Sequence, residues 1–205
     1  MLMQILVLAS RKGGVGKTTI ACHLAVEAQS RGAGPVAVLD MDPMQGMAQW
    51  WDSRTEETPA LFKGTLEEAI PALQTQGYKL LIVGTPPSIG PEVAQAVAQA
   101  TLVMIPVQAS PNDLRAVGST IDLVNKARKP LTFIINRVKP RVRLTTQAYE
   151  ALSPHGTIAP PLYDRTDYAA AMVDGLTAPE LGSSGPAPAE ITVLWTYTAS
   201  RLDLI

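Results

Sequence analysis

The sequence predicts an α/β fold, with a doubly wound and mostly parallel sheet flanked by helices on both faces. Short apolar runs alternate with helical patterns at least five times along the chain. A glycine-rich stretch separates the first run from the first helix, and two aspartates follow the second run. Parallel strands need long crossover connections, which are usually helices, so this alternation favours parallel strands that are buried on both faces.

Length and composition favour one domain over residues 1–205. The chain is 46% hydrophobic and 5% aromatic, which predicts a mainly aliphatic core. Its net charge of −1 gives no general attraction for polyanions. The one cysteine, Cys22, excludes a disulfide within the chain and favours a reducing cytoplasm. No apolar run approaches the roughly 18 residues of a membrane span, and residues 1–9 lack the basic start of a leader peptide.

The first strand, Ile5–Ala9, leads into the motif Arg11 to Thr19 and then into a helix that ends near Arg31. This order of strand, glycine loop and helix predicts a phosphate-binding loop, in which backbone N–H groups and the helix N-terminus surround an anion. Lys17 is expected to reach the β- and γ-phosphates, and Thr18 to offer its hydroxyl to Mg²⁺. The other residues expected around the phosphates are Lys12, Gly13, Gly14, Val15, Gly16 and Thr19.

The loop departs from the usual phosphate-loop pattern at one position. Arg11 stands where that pattern has its first glycine, five residues before Gly16. The sequence fits instead the deviant form Lys-Gly-Gly-x-Gly-Lys-Thr, in which Lys12 is a second, signature lysine.

The second strand, Val36–Leu39, ends in two carboxylates, Asp40 and Asp42. Open α/β sheets bind their ligands at the carboxyl ends of the strands, so both aspartates are candidates for the magnesium site. Ordinary turn aspartates on the surface are the alternative. The following helix, Met44–Asp52, carries Trp50 and Trp51 side by side, and adjacent residues cannot share one helix face.

The middle of the chain continues the alternation of strands and helices. A capping box at Thr65–Glu68 opens a helix, Pro91 begins another, and Ser110 caps a long helix that is expected to run to about Lys129. The expected strands in this part are Leu80–Val83, Leu102–Val107 and Leu131–Ile135.

The last part of the chain is predicted to contain two helices with a loop between them. A short alanine-rich helix stops at Gly175, and the segment 177–188 is expected to be a mobile surface loop. The C-terminal helix is expected at 189–203. It contributes to a single apolar stripe of Ile191, Leu194, Trp195, Leu202 and Ile205. Because this helix has one basic residue, Arg201, docking on the domain is favoured over insertion into a membrane surface.

Basic residues are strongly segregated along the chain. The segment Leu123–Tyr149 holds seven of the 17 basic residues and no acidic residue, which predicts a surface for an anionic partner. A solvated face is the alternative. The two halves of the segment flank one strand, so two patches are expected. The seven residues are Lys126, Arg128, Lys129, Arg137, Lys139, Arg141 and Arg143.

Three motifs together carry a family resemblance. They are Lys12 to Thr19, then Asp40-Met41-Asp42-Pro43, and then Thr85-Pro86-Pro87. With these motifs the chain resembles the ParA/MinD group of deviant Walker ATPases, and its short length is similar to that of the small plasmid-partition ParA proteins. The resemblance covers nearly the whole chain and implies a P-loop NTPase fold.

The resemblance also implies a mechanism with ATP and Mg²⁺ as cofactors. Two subunits would sandwich two ATP molecules, and Lys12 of each would reach the phosphates bound by the other. Asp40 would hold Mg²⁺ through water, Asp42 would orient the attacking water, and Lys17 and Lys12 would stabilise the transferring phosphoryl group. Asn136 and Pro161 lie where related proteins contact adenine, although either is also explained as a turn residue.

The implied partners are non-specific DNA of the nucleoid and a ParB-like adaptor that stimulates hydrolysis. The implied task is to partition or position a plasmid, a chromosome region or a protein cargo, and Arg165 joins the basic residues as a DNA candidate. The alternatives are a MinD-like membrane-associated ATPase and an enzyme-coupled ATPase of the nitrogenase-reductase type. The first requires a basic amphipathic C-terminal helix, and the second requires cluster ligands beyond Cys22.

One residue departs from the family pattern. Gly84 stands where the family has the Walker B aspartate, before Thr85-Pro86-Pro87. The expected ATPase activity is therefore slow, and replacing Gly84 by Asp is expected to raise it.

Overall fold

The computed structural model describes residues 2–182 and 184–204. Over these residues, seven strands form one sheet and nine helices cover it. The strands are β1 (Gln4–Leu8), β2 (Val36–Asp40), β3 (Ala60–Phe62), β4 (Leu80–Gly84), β5 (Leu102–Gln108), β6 (Leu131–Asn136) and β7 (Thr157–Ala159). The helices are α1 (Lys17–Ser30), α2 (Gly46–Asp52), α3 (Leu66–Thr75), α4 (Pro91–Gln99), α5 (Pro111–Lys126), α6 (Arg143–Leu152), α7 (Thr166–Val173), α8 (Ala178–Leu181) and α9 (Pro186–Arg201).

The sheet has the order β3-β2-β4-β1-β5-β6-β7, and every paired strand runs parallel to its neighbour. The predicted doubly wound parallel sheet is therefore confirmed. All strand carboxyl ends meet at one edge, and the loops that follow β1, β2, β4 and β5 emerge there side by side. Such an edge is where open α/β sheets bind ligands.

Alternate residues of the central strand face two separate cores. Leu6 and Leu8 of β1 belong to a cluster with α1, α2 and α7 to α9, whereas Ile5 and Val7 belong to a cluster with α3 to α6. This two-sided burial explains why the strands are continuous apolar runs rather than alternating ones. Trp50 is buried in the first cluster and Trp51 packs only partly against it, as adjacent helix positions require.

The structure adds elements that the sequence pattern did not predict, namely β3, β7, α6 and, within the expected loop 177–188, α8. Strands β3 and β7 have three residues each, which is too short for a recognisable apolar run. Helix α6 lies in the basic segment, so that Arg143 begins a helix instead of belonging to a loop. The long helix α5 ends at Lys126 and not at Lys129, because Arg128 has a positive φ of 54° and Pro130 follows.

The prediction of a loop at 177–188 is wrong over much of this segment. A capping box between Thr177 and Glu180 starts α8 at Ala178. Helix α9 begins at Pro186, earlier than the expected 189, because proline is tolerated in a first helical turn, and it ends at Arg201 rather than 203. Ser183 of the expected loop and Ile205 of the apolar stripe lie outside the described residues, as does Met1.

The stripe of α9 packs inward. Ile191, Leu194 and Trp195 are buried in the cluster that also contains α1. None of the described helices is both long and apolar enough to span a membrane.

Candidate nucleotide-binding site

The loop between β1 and α1 is shaped by two glycines with left-handed backbone angles. Gly14 has a φ of +73° and Gly16 has a φ of +101°, values that favour glycine. A Cβ on Gly16 would also lie 2.2 Å from Asn136 Nδ2, so no side chain fits there. Gly16 caps α1 without a side-chain hydrogen bond, which leaves N–H groups of the first turn available to an anion.

Lys17 is a buried cation without a carboxylate partner among the described residues. Its side chain carries an ammonium that donates only to Lys12 O at 3.4 Å and Ser10 O at 3.5 Å, and the residue is 7% exposed. Burial lowers the pKa of this ammonium, and the charge of Asp42 opposes that change. A bound phosphate would give the Lys17 ammonium an anionic acceptor, which fits the predicted role of Lys17 in nucleotide binding.

The second lysine of the loop is held differently. Lys12 Nζ donates to Asp113 Oδ2 in an ion pair, and its side chain is 40% exposed while that of Asp113 is 2% exposed. Asp113 lies in the first turn of α5, where the hydroxyl of Ser110 also donates to its Oδ2. The two lysines of one loop therefore have different surroundings, one internal and one at the surface.

The two aspartates after β2 are fixed by backbone donors. Asp40 accepts from Asp42 N at 3.0 Å, from Met47 N at 2.8 Å and from Ala48 N at 3.1 Å. Asp42 accepts from Met44 N at 3.0 Å. These hydrogen bonds hold both carboxylates at the carboxyl edge of the sheet, on the loop that joins β2 to α2.

The donor set of this corner suits magnesium. Gly46, the first residue of α2, lies close to Thr18, because a Cβ on Gly46 would be 3.7 Å from Thr18 Oγ1. Hydroxyl and carboxylate oxygens are hard ligands, and Mg²⁺ is usually bound by one or two carboxylates together with substrate phosphates. The described residues contain no group of three or more His, Cys, Asp or Glu side chains that could hold a metal without such phosphates.

A cavity of about 300 Å³ opens beside the loop, between the end of β6 and the start of α7. Asn136 lines this cavity and its Nδ2 donates to Val15 O at 2.8 Å, and its contact with adenine stays a prediction. Pro161 is not among the lining residues. The sequence analysis missed Tyr163 and Thr166, which line the cavity together with Gly16 and Thr19. They follow a very short strand and carry no periodic signal.

The predicted basic residues lie in two places. Lys126, Arg128 and Lys129 precede β6 and form what we call the rear patch, at the edge opposite the phosphate loop. Lys139, Arg141 and Arg143 follow β6 and line a groove of about 460 Å³, which we call the front groove. Tyr163 lines both this groove and the cavity beside the loop. The two patches expected from the sequence are therefore present at opposite ends of one strand.

Two of the basic residues have acidic partners. Lys139 Nζ lies 3.8 Å from Asp164 Oδ2, in an exposed pair. Arg165 binds Glu190 of α9 through Nε at 2.7 Å and Nη2 at 2.6 Å, and its side chain is 28% exposed. Arg165 therefore anchors α9 rather than standing free for a DNA phosphate. Arg137, Arg141 and Arg143 are exposed and have no ion pair within the described part of the chain.

A match to a protein-family model identifies the family of this chain. The model of the CobQ/CobB/MinD/ParA nucleotide binding domain matches residues 6–178, which include both lysines and both aspartates. The chain belongs to this family. The matched region, which contains the loop from Lys12 to Thr19, is therefore a nucleotide-binding domain of this family.

Individual members of the CobQ/CobB/MinD/ParA family agree over most of the chain. "Maintenance of carboxysome distribution protein A" of Halothiobacillus neapolitanus is 27% identical over 198 residues, which cover 90% of this chain and 91% of that protein. "Protein ParA" of Rhizobium radiobacter is 28% identical over 182 residues, 82% of each chain. The structure of the MinD cell division protein of Aquifex aeolicus has a TM-score of 0.78 at 16% identity, covering 96% of this chain and 97% of that one. This last similarity confirms the fold.

Proposed function

We propose that this chain is a ParA-type ATPase that binds ATP with Mg²⁺, dimerises around two ATP molecules and positions a cargo. The observation that carries the proposal is the contrast between the two lysines of the loop. Lys17 is buried, lacks a carboxylate partner among the described residues and faces the chain's own phosphate site. Lys12 is 40% exposed and its one carboxylate partner among the described residues is Asp113, so it could serve a second subunit once it leaves that ion pair.

Each residue of the site has a role in this proposal. Lys17 and the N–H groups of residues 13–19 neutralise and orient the β- and γ-phosphates. Thr18 and Asp40 would hold Mg²⁺, which supplies charge neutralisation on the phosphoryl oxygens when bound. Asp42 accepts a hydrogen bond from the attacking water. Lys12 of the partner subunit adds positive charge next to the γ-phosphate, so that hydrolysis requires the dimer.

The basic residues support binding to DNA of the nucleoid in the cytoplasm. The front groove and the rear patch offer cations for phosphate contacts, and nothing in the described fold is an added base-reading module. Affinity then depends on counterion release and not on sequence. A dimer doubles the number of contacts, which makes DNA binding depend on ATP.

The relatives support the choice of cargo positioning as the task. Two proteins that align with most of this chain are named for carboxysome distribution and as ParA. We infer that a protein body, a plasmid or a chromosome region is the cargo, and that a ParB-like adaptor stimulates hydrolysis. The MinD-like alternative has little support in α9, because Ile191, Leu194 and Trp195 of its apolar stripe are buried in the domain and Val193 is its exposed large apolar residue.

Sedimentation velocity tests the proposal. With ATP and Mg²⁺ the chain should form dimers, with ADP it should remain largely monomeric, and Lys17→Ala should be monomeric with either nucleotide. Fluorescence anisotropy with two unrelated DNA duplexes should then show equal binding of the ATP form. If ATP-bound dimers bound no DNA at low salt, the proposed positioning function would be wrong, whereas the proposed ATPase activity would still stand. If the chain stayed monomeric with ATP and Mg²⁺, the proposed dimer around two ATP molecules would be wrong.

A further inference from the structure

Gly84, at the carboxyl end of β4, has a crowded side-chain space. It is paired in register with Asp40 of β2 and with Leu8 of β1. A Cβ placed on Gly84 would lie 2.8 Å from Met47 Cε and 4.0 Å from Asp40 Oδ1. Contacts between real atoms do not come this close to a Cβ, so a side chain at 84 and the present position of Met47 exclude each other.

Met47 is well fixed in this position. It lies in the first turn of α2, is 1% exposed and belongs to the core cluster of that face. Its backbone N–H donates to Asp40 Oδ2 at 2.8 Å, so the residue both orients the Asp40 carboxylate and fills the space next to it. The displaced atom is the end of a flexible side chain, which means that the space is closed by one methyl group and not by the backbone.

We propose that Met47 and Gly84 act as a pair that keeps a second carboxylate out of the magnesium site, and that Met47 is the positioning residue. The methyl group of Met47 occupies the room that a carboxylate on β4 would need. Among the described residues, Asp40 provides the carboxylate oxygen that lies next to this space, and Thr18 and Asp40 alone would hold Mg²⁺ weakly without nucleotide phosphates to complete its ligands. These residues would therefore bind the cation together with the nucleotide.

This inference rests on the proposed function for its meaning, because it concerns the cofactor of that site. It also corrects the sequence-based expectation for Gly84→Asp. The single replacement would force the new side chain against Met47 and beside Asp40, where two carboxylates repel each other. We therefore expect the single replacement to destabilise the protein without accelerating hydrolysis.

Thermal melting without nucleotide tests the pair independently of ATP. The variants are Gly84→Asp, Met47→Ala and the double replacement, each measured with and without Mg²⁺. We expect the double variant to lose less melting temperature than the two single variants lose together, because residues in contact are energetically coupled. Only the double variant should be stabilised by Mg²⁺, by about 3 to 6 °C at a concentration tenfold above its dissociation constant.

The matched control is Met47→Ala with Gly84→Asn, which has the same size without the charge. It should show the coupling and lack the response to Mg²⁺. An equal Mg²⁺ response in Gly84→Asp alone would show that Met47 does not close the space, and a double variant without the response would show that the space is not part of the site. Failure of the parent to bind a fluorescent ATP analogue would instead overturn the proposed function, and the melting comparison would still decide the pair.

Discussion

The ammonium of Lys12 donates to Asp113 Oδ2, which ties the phosphate loop to the first turn of α5 across 101 residues of sequence. Both groups belong to one subunit. In the proposed ATP dimer, Lys12 would have to leave Asp113 before it could reach the neighbouring active site, so this ion pair would oppose dimerisation.

Replacing Asp113 by Asn should strengthen the ATP dimer. Asn keeps the shape of the side chain and removes the charge that holds Lys12. A charge-assisted hydrogen bond contributes about 1.5 to 3 kcal/mol when buried and less when partly exposed, so the dimer should become roughly fivefold tighter. Sedimentation at several protein concentrations with ATP and Mg²⁺ measures this change. Asp122→Asn, on an exposed part of the same helix, is the control, and a weaker dimer in Asp113→Asn would place Asp113 in contact with the partner subunit.

Replacing Lys12 by Gln should separate nucleotide binding from turnover. Lys17 and the backbone N–H groups remain, so the affinity for ATP should change by less than about threefold, whereas the ATPase rate should fall by about 10³-fold or more, as for a cation supplied in trans. Equilibrium titration with a fluorescent ATP analogue and a phosphate-release assay measure the two quantities.

Arg11→Gln is the matched control for this experiment, because Arg11 is an exposed cation next to Lys12. It should keep both binding and turnover. If Lys12→Gln formed ATP dimers as well as the parent, the role of Lys12 across the dimer would be wrong.

Removing the cations of the front groove should reduce the salt dependence of DNA binding. The double change of Arg141 and Arg143 to Ala removes up to two phosphate contacts per subunit. The slope of log affinity against log salt should fall by about two to four per dimer, at about 0.9 per contact. Anisotropy titrations across a salt series measure the slope.

The rear patch provides the comparison for this prediction. A triple change of Lys126, Arg128 and Lys129 to Ala removes more charge at the opposite edge of the sheet. A large effect of this triple variant together with none of the front-groove variant would move the DNA surface to the rear patch. ATP binding should be unchanged in both proteins.

The stability of the fold should decrease in mild acid, because unfolding allows His23 to become protonated. Its Nδ1 bonds to Thr19 O at 2.8 Å and its Nε2 accepts from Ala178 N at 3.0 Å, so the neutral ring joins α1 to α8. Burial lowers the pKa of His23 to about 4. The unfolded chain, with an ordinary histidine pKa near 6.5, therefore binds more protons between these values, and stability falls as the pH drops from about 6.5 to about 4, by up to roughly 3 kcal/mol.

Urea unfolding at pH 7 and pH 4.5 measures this loss. His23→Gln keeps a donor and an acceptor and should flatten this part of the pH profile. His155→Gln is the control, because His155 is exposed. A His23→Gln profile as steep as that of the parent would show that carboxylates and not His23 carry the acid sensitivity.

The parts of the site that are local in sequence were predictable, and the parts that depend on distant packing were not. The loop from Lys12 to Thr19 and the pair Asp40 and Asp42 are contiguous motifs, and each follows an apolar run long enough to be a strand. The partner of Lys12 is far away in sequence, although Ser110 to Asp113 was predicted as a helix start.

The same limit applies to the fold and to Gly84. The alternation of long runs predicted five of the strands, but β3, β7 and α6 are short or lack an apolar signal. The closure of the Gly84 space by Met47 depends on how α2 packs against β4, which no local pattern contains. The pairing of Arg165 with Glu190 likewise appears only once α9 is docked.

Tyr163 forms part of the wall of both the cavity beside the phosphate loop and the front groove. A base that shifted this ring on entering the cavity would also reshape the groove, and a phosphate backbone bound in the groove would in turn act on the cavity. By thermodynamic reciprocity, the factor by which nucleotide changes the affinity for DNA equals the factor by which DNA changes the affinity for nucleotide. If the chain binds both ligands as proposed, this one aromatic ring would let nucleotide and DNA influence each other's affinity within a single subunit.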